Sequence, residues 1–281
     1  MTPQRYRMIA IDLDGTLLSP TGKVTERTRA AVRKMVDAGW VVCFATGRSL
    51  RESQQILTDV GHRSLAVFVT GAIVIDTAAL VVLHRKLMHA NLARELCAFL
   101  EERGQTVLAL QDSRIAGVDY LVTEGPPLNA ASRRWVEVTE SSVQRRTDLA
   151  TADHSQTLRV SLVSAPGEVE RIHTELVEHF GNRVFCQNLL VPSWSMQVLE
   201  LFDPSVNKWE GVMHVARHLE ISRDAIVAVG DDTNDIPMIS RAALGVAMGN
   251  ARPEVRARAH RIIGSNAEDG LAVFLDELLN S

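Results

Sequence analysis

Cysteine is scarce in this sequence, and an excess of positive charge is absent. The 281 residues include three cysteines, at widely spaced positions 43, 97 and 186, and carry a net charge of −4. Such cysteines fit neither a disulfide framework nor a CxxC metal site, and without a basic excess we expect no nucleic-acid partner. Residues 1–7 are polar and basic with no apolar segment behind them, which predicts no signal peptide. These absences indicate a globular protein of the cytoplasm.

An uninterrupted apolar segment is missing too, although residues 65–83 come close to one. This stretch has about the length that spans a bilayer, but Thr70-Gly71 and a later Asp-Thr pair interrupt it. Its valines and isoleucines favour short strands. We therefore expect no membrane partner, and we predict a buried strand followed by a hairpin, over residues 65–69, 73–75 and 80–84.

Strands and helices alternate in the first and last thirds of the sequence. This alternation predicts an α/β fold with a doubly wound, mostly parallel, Rossmann-like sheet. The predicted strands cover residues 6–11, 40–45, 65–69, 225–229, 244–248 and 261–263. The predicted helices cover residues 25–38, 50–60, 208–219, 236–242, 253–259 and 270–279.

The middle of the chain has a different pattern, in which predicted strands follow one another and only two helices are clear. We predict an α+β domain inserted into the first one. Its strands are expected near 106–110, 117–122, 157–163, 183–186 and 196–201, and its helices near 91–104 and 167–180. The predicted domains are thus a core formed by 1–85 and 204–281 and an inserted domain over 86–203.

The first strand ends in Asp12-Leu13-Asp14-Gly15-Thr16, which places two acids one residue apart. Alternate side chains of a strand share a face, so Asp12 and Asp14 start on the same side, and Gly15 permits a sharp turn. In parallel sheets, ligands bind beyond the carboxyl ends of the strands. Three other strands end in polar motifs that we expect to converge there: Thr46-Gly47-Arg48, Thr70-Gly71-Ala72 and the GDDTND segment 230–235.

Several carboxylates in these motifs would repel one another without a cation. An all-oxygen set of this kind suits Mg²⁺. The candidate metal ligands are Asp12, Asp14, Asp231 and Asp235.

An anion site is predicted beside this metal site. Thr46 supplies a hydroxyl group and Asn234 an amide, while Lys208 supplies one of only four lysine ammonium groups in the chain. A compact ammonium suits a single phosphoryl oxygen or carboxylate.

Four of these motifs, in order, resemble those of the haloacid dehalogenase-like hydrolase superfamily: Asp12-Leu13-Asp14-Gly15-Thr16, Thr46-Gly47-Arg48, Lys208, and residues 230–235. The insertion between the second and third motifs is similar to that of the Cof-like phosphatase branch, which has a large α/β cap. The resemblance covers the whole chain.

Two positions depart from the pattern of that branch. Thr70 stands where asparagine is usual, and Trp209 follows the lysine where glycine is usual. The hydroxyl group of Thr70 can still form a hydrogen bond, so we expect this position to tune the choice of substrate. Trp209 either packs against the cap, narrows the pocket or belongs to the core.

The resemblance implies different tasks for the two acids of the first motif. Asp12 would attack phosphorus and form an aspartyl-phosphate. Asp14 would protonate the leaving alkoxide and then deprotonate the water that cleaves the intermediate.

The resemblance also implies how metal and phosphoryl group are held. Mg²⁺ would be bound by Asp12, the Asp14 backbone carbonyl and Asp231, with Asp235 bracing the site. Arg48 would either reach a second anionic group of the substrate or pair with a nearby acid. The implied phosphoryl ligands are Thr46, the Gly47 backbone, Lys208 and Asn234.

The favoured function is a Mg²⁺-dependent phosphatase of a small phosphorylated metabolite, such as a sugar phosphate. A cap over the crevice discourages macromolecular substrates, and the candidate specificity segments are 118–134 and 188–194. A monomer or a homodimer is expected. A phosphomutase would use the same Asp12 and Asp14, and a non-catalytic phosphate sensor would keep the fold. A glycosyltransferase with an Asp-x-Asp motif would need neither Gly15-Thr16 nor Lys208.

Overall fold

The structure is a computed structural model that describes residues 6–124, 128–191 and 195–280. The chain divides into two compact units. The first unit combines Met1–Arg85 with Asn207–Ser281, and the second unit is Lys86–Val206, inserted between those two segments.

The elements follow the chain in three groups. The first segment of the first unit contains β1 (Met8–Ile11), α1 (Glu26–Asp37), β2 (Val41–Phe44), α2 (Leu50–Asp59), β3 (Leu65–Phe68), β4 (Ile73–Asp76) and β5 (Val81–Arg85). The second unit contains α3 (Ala90–Glu101), β6 (Leu108–Gln111), α4 (Ser113–Ala116), β7 (Tyr120–Thr123), α5 (Ala130–Val138), β8 (Val143–Arg146), β9 (Thr157–Ser164), α6 (Glu170–Phe180), β10 (Phe185–Val191) and β11 (Met196–Phe202). The second segment of the first unit contains α7 (Lys208–His218), β12 (Ile226–Gly230), α8 (Ile236–Arg241), β13 (Leu244–Ala247), α9 (Pro253–Arg256), β14 (Arg261–Ile262) and α10 (Gly270–Leu279).

A five-stranded parallel sheet forms the centre of the first unit, in the order β14-β13-β12-β1-β2. Strand β1 is flanked by β12 and β2, and all four of its residues are buried. A strand that is buried on both faces reads as a continuous apolar run, as Met-Ile-Ala-Ile does. The predicted doubly wound, mostly parallel α/β fold is confirmed.

Strands β3, β4 and β5 form a separate antiparallel sheet. The predicted strand and hairpin are thus present, but β3 joins the parallel sheet only at its edge. Ala45 and Val67 form one parallel bridge, and the Thr46 N–H donates to the Val67 carbonyl at 2.9 Å. Among the residues that the structure describes, no helix has both the length and the apolar character that crossing a membrane requires.

The second unit contains a six-stranded sheet in the order β10-β11-β9-β6-β7-β8, in which only the β7–β8 pair is parallel. Residues of α3 and α6 pack on one face around Leu96, Leu100 and Leu176. The sequence patterns missed α4, α5 and β8. Helix α5 buries only Ser132 and Trp135, and all four residues of β8 are exposed, so neither element has a clear apolar period.

The candidate specificity segments fall only partly within the described structure. Residues 125–127 of the segment 118–134 and residues 192–194 of the segment 188–194 lie outside the described residues.

Gly211 on α7 has no room for a side chain. A Cβ at this position would overlap a methyl group of Val67 and lie 3.1 Å from the Cα of Gly71. Because Val67 is fully buried, Gly211→Ala should lower the free energy of unfolding by about 1–3 kcal/mol, despite the higher helix propensity of alanine. Urea denaturation measures this change. Adding Val67→Ala removes the obstructing methyl group, so the double variant should lose less stability than the sum of the two single losses; simple additivity would contradict the packing argument.

Candidate active site

Asp12 lies at the carboxyl edge of the parallel sheet, directly after β1 and before a sharp turn. The Asp12 N–H donates to the Val229 carbonyl on β12, and the irregular turn Leu13–Leu17 follows. Gly15 has a φ of +75°, and a Cβ there would overlap the carboxylate of Asp231. Glycine at this position therefore lets the first motif approach the motif that follows β12.

Lys208 is the buried cation of the site. Asn207 caps α7 by accepting a hydrogen bond from the Glu210 N–H, which fixes Lys208 in the first helical turn. The Lys208 Nζ donates to Asp12 Oδ1 at 2.5 Å and to Asp235 Oδ1 at 2.6 Å. Burial acts to lower the pKa of Lys208, but the two carboxylates outweigh it and raise the pKa above its ordinary value. The ammonium therefore stays charged.

The hydrogen bonds of Asp235 engage both of its oxygens. While Oδ1 accepts from Lys208, Oδ2 accepts from the backbone N–H groups of Asp231 and Asp232 at 2.9 and 3.0 Å. Asp235 therefore shapes the segment after β12 and fixes the lysine. Asp231 accepts a hydrogen bond from the Thr16 hydroxyl at 3.0 Å.

Three carboxylates come together around the buried lysine. One oxygen each from Asp12, Asp231 and Asp235 lie within 4.8 Å of one another, close enough to hold a metal ion. Burial raises the pKa of Asp12 well above its ordinary value, with Asp235 adding to the effect and Lys208 opposing it. Burial and the charge of Asp235 raise the pKa of Asp231 to about 7. Three acids beside one ammonium leave negative charge that a divalent cation would compensate.

Asp14 is not part of this carboxylate group. Its side chain is 57% exposed and accepts two hydrogen bonds from Arg48, from Nε at 2.8 Å and from the terminal Nη2 at 2.6 Å. Of the two alternatives predicted for Arg48, the structure contains the pairing with a nearby acid. The metal contribution predicted for Asp14 came from its backbone carbonyl, which this side-chain contact does not occupy.

The predicted anion-binding groups meet at the same sheet edge. The Thr46 hydroxyl accepts from the Arg48 N–H at 3.1 Å, so its own hydrogen can be donated elsewhere. A Cβ on Gly47 would lie 3.9 Å from Asn234 Nδ2 and 3.4 Å from the Thr70 hydroxyl oxygen. Thr46, Gly47 and Asn234 therefore form one cluster, which Thr70 joins.

Trp209 belongs to the core. It is buried in the apolar cluster that includes Met8, Val67 and Val74. Among the three roles predicted for this tryptophan, the core role is therefore the one observed.

The sequence patterns missed Asn250, which supports the first motif. Its Nδ2 donates to the Gly15 carbonyl at 2.8 Å, and its Oδ1 accepts from the Asn266 N–H at 2.9 Å. Asn250 follows β13, whose carboxyl end lies at the same sheet edge. That position was the available signal, because polar residues at this edge are candidates for the site.

Comparison with known proteins gives a consistent result. The family model for haloacid dehalogenase-like hydrolases matches residues 9–275. The chain is 28% identical to an HMP-PP phosphatase of Yersinia enterocolitica, over 98% of this chain and 96% of that protein. It is 29% identical to the pyridoxal phosphate phosphatase YbhA of Escherichia coli strain K12, over 96% of this chain and 97% of the relative.

A solved structure agrees in fold. A haloacid dehalogenase-like hydrolase from Bacteroides thetaiotaomicron superposes with a TM-score of 0.79 at 20% identity, covering 97% of this chain and 99% of the other. The prediction of a phosphoric monoester hydrolase is confirmed by the family model and the named relatives. Because the family model matches nearly the whole length of the chain, the chain belongs to the haloacid dehalogenase-like hydrolases.

Proposed function

We propose that this chain is a Mg²⁺-dependent phosphatase that hydrolyses a small phosphorylated metabolite through an aspartyl-phosphate on Asp12. The observation that carries the proposal is the buried contact between Asp12 and Lys208 at 2.5 Å, beside Asp231 and Asp235. A carboxylate held against a fixed cation at the carboxyl edge of a parallel sheet is suited to attack an anionic substrate.

The donor set fits Mg²⁺, because every candidate ligand is a hard oxygen. Asp12, Asp231 and the Asp14 backbone carbonyl would hold the ion, and Asp235 would brace them through its bonds to the backbone of residues 231 and 232. When bound, Mg²⁺ compensates negative charge on the carboxylates and on the phosphoryl oxygens.

Asp12 forms a bond from a carboxylate oxygen to phosphorus as the bond from phosphorus to the leaving oxygen breaks. Lys208, Thr46 and Asn234 hold the phosphoryl oxygens during this displacement. Asp14 gives a proton to the leaving alkoxide. In the second step it takes a proton from the water that attacks phosphorus and restores the Asp12 carboxylate.

The substrate class is a small phosphate ester, such as a sugar phosphate or a phosphorylated heterocycle. Support comes from the two named relatives, a phosphatase of HMP-PP and one of pyridoxal phosphate. The second unit would act as the specificity cap. Location in the cytoplasm and a monomeric or homodimeric state remain predictions.

A phosphomutase is the second candidate, because it would use Asp12 and Asp14 in the same way. The two are distinguished by the product. A phosphatase releases inorganic phosphate in proportion to substrate consumed, whereas a mutase returns the phosphoryl group to an isomer of the substrate.

Asp12→Asn should reduce hydrolysis of p-nitrophenyl phosphate with Mg²⁺ to the background rate, because an amide does not form the aspartyl-phosphate. The matched control is Asp232→Asn, which changes the carboxylate next to Asp231 in the sequence. The Asp232 carboxylate pairs with Arg252 and accepts a hydrogen bond from the Thr233 N–H. The control should keep its activity within about threefold, as expected for a partly exposed pair. Circular dichroism checks that both variants fold. Ordinary Mg²⁺-dependent turnover by Asp12→Asn would show that another residue is the nucleophile.

Asp14→Asn should slow poor leaving groups most. An alkyl phosphate needs a proton on its departing oxygen, whereas p-nitrophenolate leaves without one, so the loss in kcat should be at least about tenfold greater for the alkyl ester. The measurement compares both substrates in wild type and variant. An equal loss for the two esters would assign Asp14 to a role other than proton transfer.

Metal-free protein should become less stable as pH rises from about 5 to 8. The pKa of Asp231 is raised from 3.8 to about 7 in the folded chain, so the folded state binds a proton more tightly than the unfolded state does. The stability that this group contributes is present below its unfolded pKa and is lost as pH rises through the folded value. Mg²⁺ favours the ionised form, so it should raise Tm more at pH 8 than at pH 5.5.

Thermal unfolding with EDTA or Mg²⁺ at the two pH values tests this. Asp231→Asn provides the control, since it should weaken the metal-free dependence on pH and leave the part that the raised pKa of Asp12 contributes. A Tm shift by Mg²⁺ that is equal at both pH values would contradict the assignment of Asp231 as a ligand.

A further inference from the structure

The turn after β3 has an unusual backbone. Val69, Thr70 and Gly71 have φ values of +51°, +56° and +104° in succession. Glycine adopts such angles readily, but two consecutive β-branched residues do so only under strain. Strained backbone persists where surrounding contacts hold it, and it concentrates at functional sites.

Contacts on both sides hold this turn in place. The Val69 N–H donates to the Arg48 carbonyl at 2.9 Å, and the Thr70 N–H donates to the Thr46 carbonyl at 3.0 Å. On the other side, a Cβ on Gly71 would overlap the carbonyl of Asn207. The turn therefore lies between the loop that carries Thr46 and the start of the helix that carries Lys208.

The Thr70 hydroxyl group is fully buried, and its oxygen has no hydrogen-bond partner among the described residues. The buried Oδ1 of Asn234 also lacks one within the described part of the chain. Both side chains lie beside Gly47, because a Cβ on that glycine would lie 3.4 Å from the Thr70 oxygen and 3.9 Å from Asn234 Nδ2. Leaving a buried hydroxyl group unpaired is costly, so an acceptor for the Thr70 hydroxyl group is to be expected in the working protein.

We infer that Thr70 is a further phosphoryl-binding residue, whose hydroxyl group donates a hydrogen bond to an oxygen of the substrate phosphate. The inference rests on the proposed function and adds a ligand to the same anion site. Thr70 lies beside Gly47 and Asn234, two of the residues proposed to hold the phosphoryl oxygens, and a phosphoryl oxygen is an acceptor for its hydroxyl group. The strained turn then has a reason, because it holds the Thr70 hydroxyl group beside Gly47.

Thr70→Val tests the inference, because valine has the shape of threonine without the hydroxyl group. Isothermal calorimetry with inorganic phosphate, in the presence of Mg²⁺, measures the anion site without relying on turnover. We expect Thr70→Val to raise the Kd for phosphate about tenfold or more, since the hydrogen bond is made to a charged group. Thr70→Ser keeps the hydroxyl group and should stay within about threefold of wild type.

Stability separates this role from a structural one. Replacing an unpaired buried hydroxyl group by a methyl group should leave Tm unchanged or raised. The matched control is Thr77→Val, because the Thr77 hydroxyl, just after β4, donates to the Ser64 carbonyl, just before β3. The control should lower Tm and leave the Kd for phosphate unchanged.

The outcomes are distinct. An unchanged Kd in Thr70→Val, whether or not Tm falls, would overturn the inference and leave the proposed function standing if wild type hydrolyses phosphate esters. A wild type that neither binds phosphate nor hydrolyses any phosphate ester would overturn both. A raised Kd with a Tm that is unchanged or raised, together with a Kd near the wild-type value in Thr70→Ser, would support the assignment, whereas a raised Kd with a lowered Tm would overturn it.

Discussion

The ion pairs of Lys208 with Asp12 and Asp235 are the interaction on which the site depends. Three carboxylates within 4.8 Å, two of them buried, would otherwise repel one another, and the desolvation cost of a buried charge is offset only by close, well-aligned partners. The packing of the backbone around Lys208 sets the position of its ammonium group. Asn207 caps the helix, and the close approach of Gly211 to Gly71 brings that helix against β3. A change in this packing would move the lysine relative to Asp12.

Four aspartates with the same chemistry have four different environments. Asp12 is buried and contacts the lysine, whereas Asp14 is largely exposed and paired with Arg48. Asp235 has both oxygens engaged, while Asp231 accepts a hydrogen bond from a threonine and has its pKa raised to about 7. Environment, not residue type, distinguishes these acids and suits them to the separate tasks proposed for them. The pairing of Asp14 with an arginine also means that any substrate anion drawn to this edge meets a guanidinium already engaged by a carboxylate.

The fold and most of the site could be predicted from sequence because both depend on short-range patterns. Buried parallel strands read as apolar runs, and polar motifs follow them at one sheet edge, so Asp12, Thr46 and Asp231 could be placed together. Helix α5 and strand β8 could not be predicted from the sequence, because their surfaces are mostly polar and exposed. Neither the pairing of Arg48 with Asp14 nor the support of Gly15 by Asn250 has a periodic signature. Such contacts depend on side-chain geometry across 34 and 235 residues of sequence.

The insertion of the second unit separates the two halves of the site along the chain. Lys208 contacts Asp12 across 196 residues, and Thr16 contacts Asp231 across 215. Translation proceeds from the amino terminus, so β1 is made long before β12, the strand that flanks it. During synthesis, β1 and β2 therefore lack β12 while the whole second unit emerges from the ribosome. Contacts between segments that are distant in the sequence also form slowly. The candidate site is thus complete only after residues 230–235 have left the ribosome, and a product that terminates before them lacks both Asp231 and Asp235.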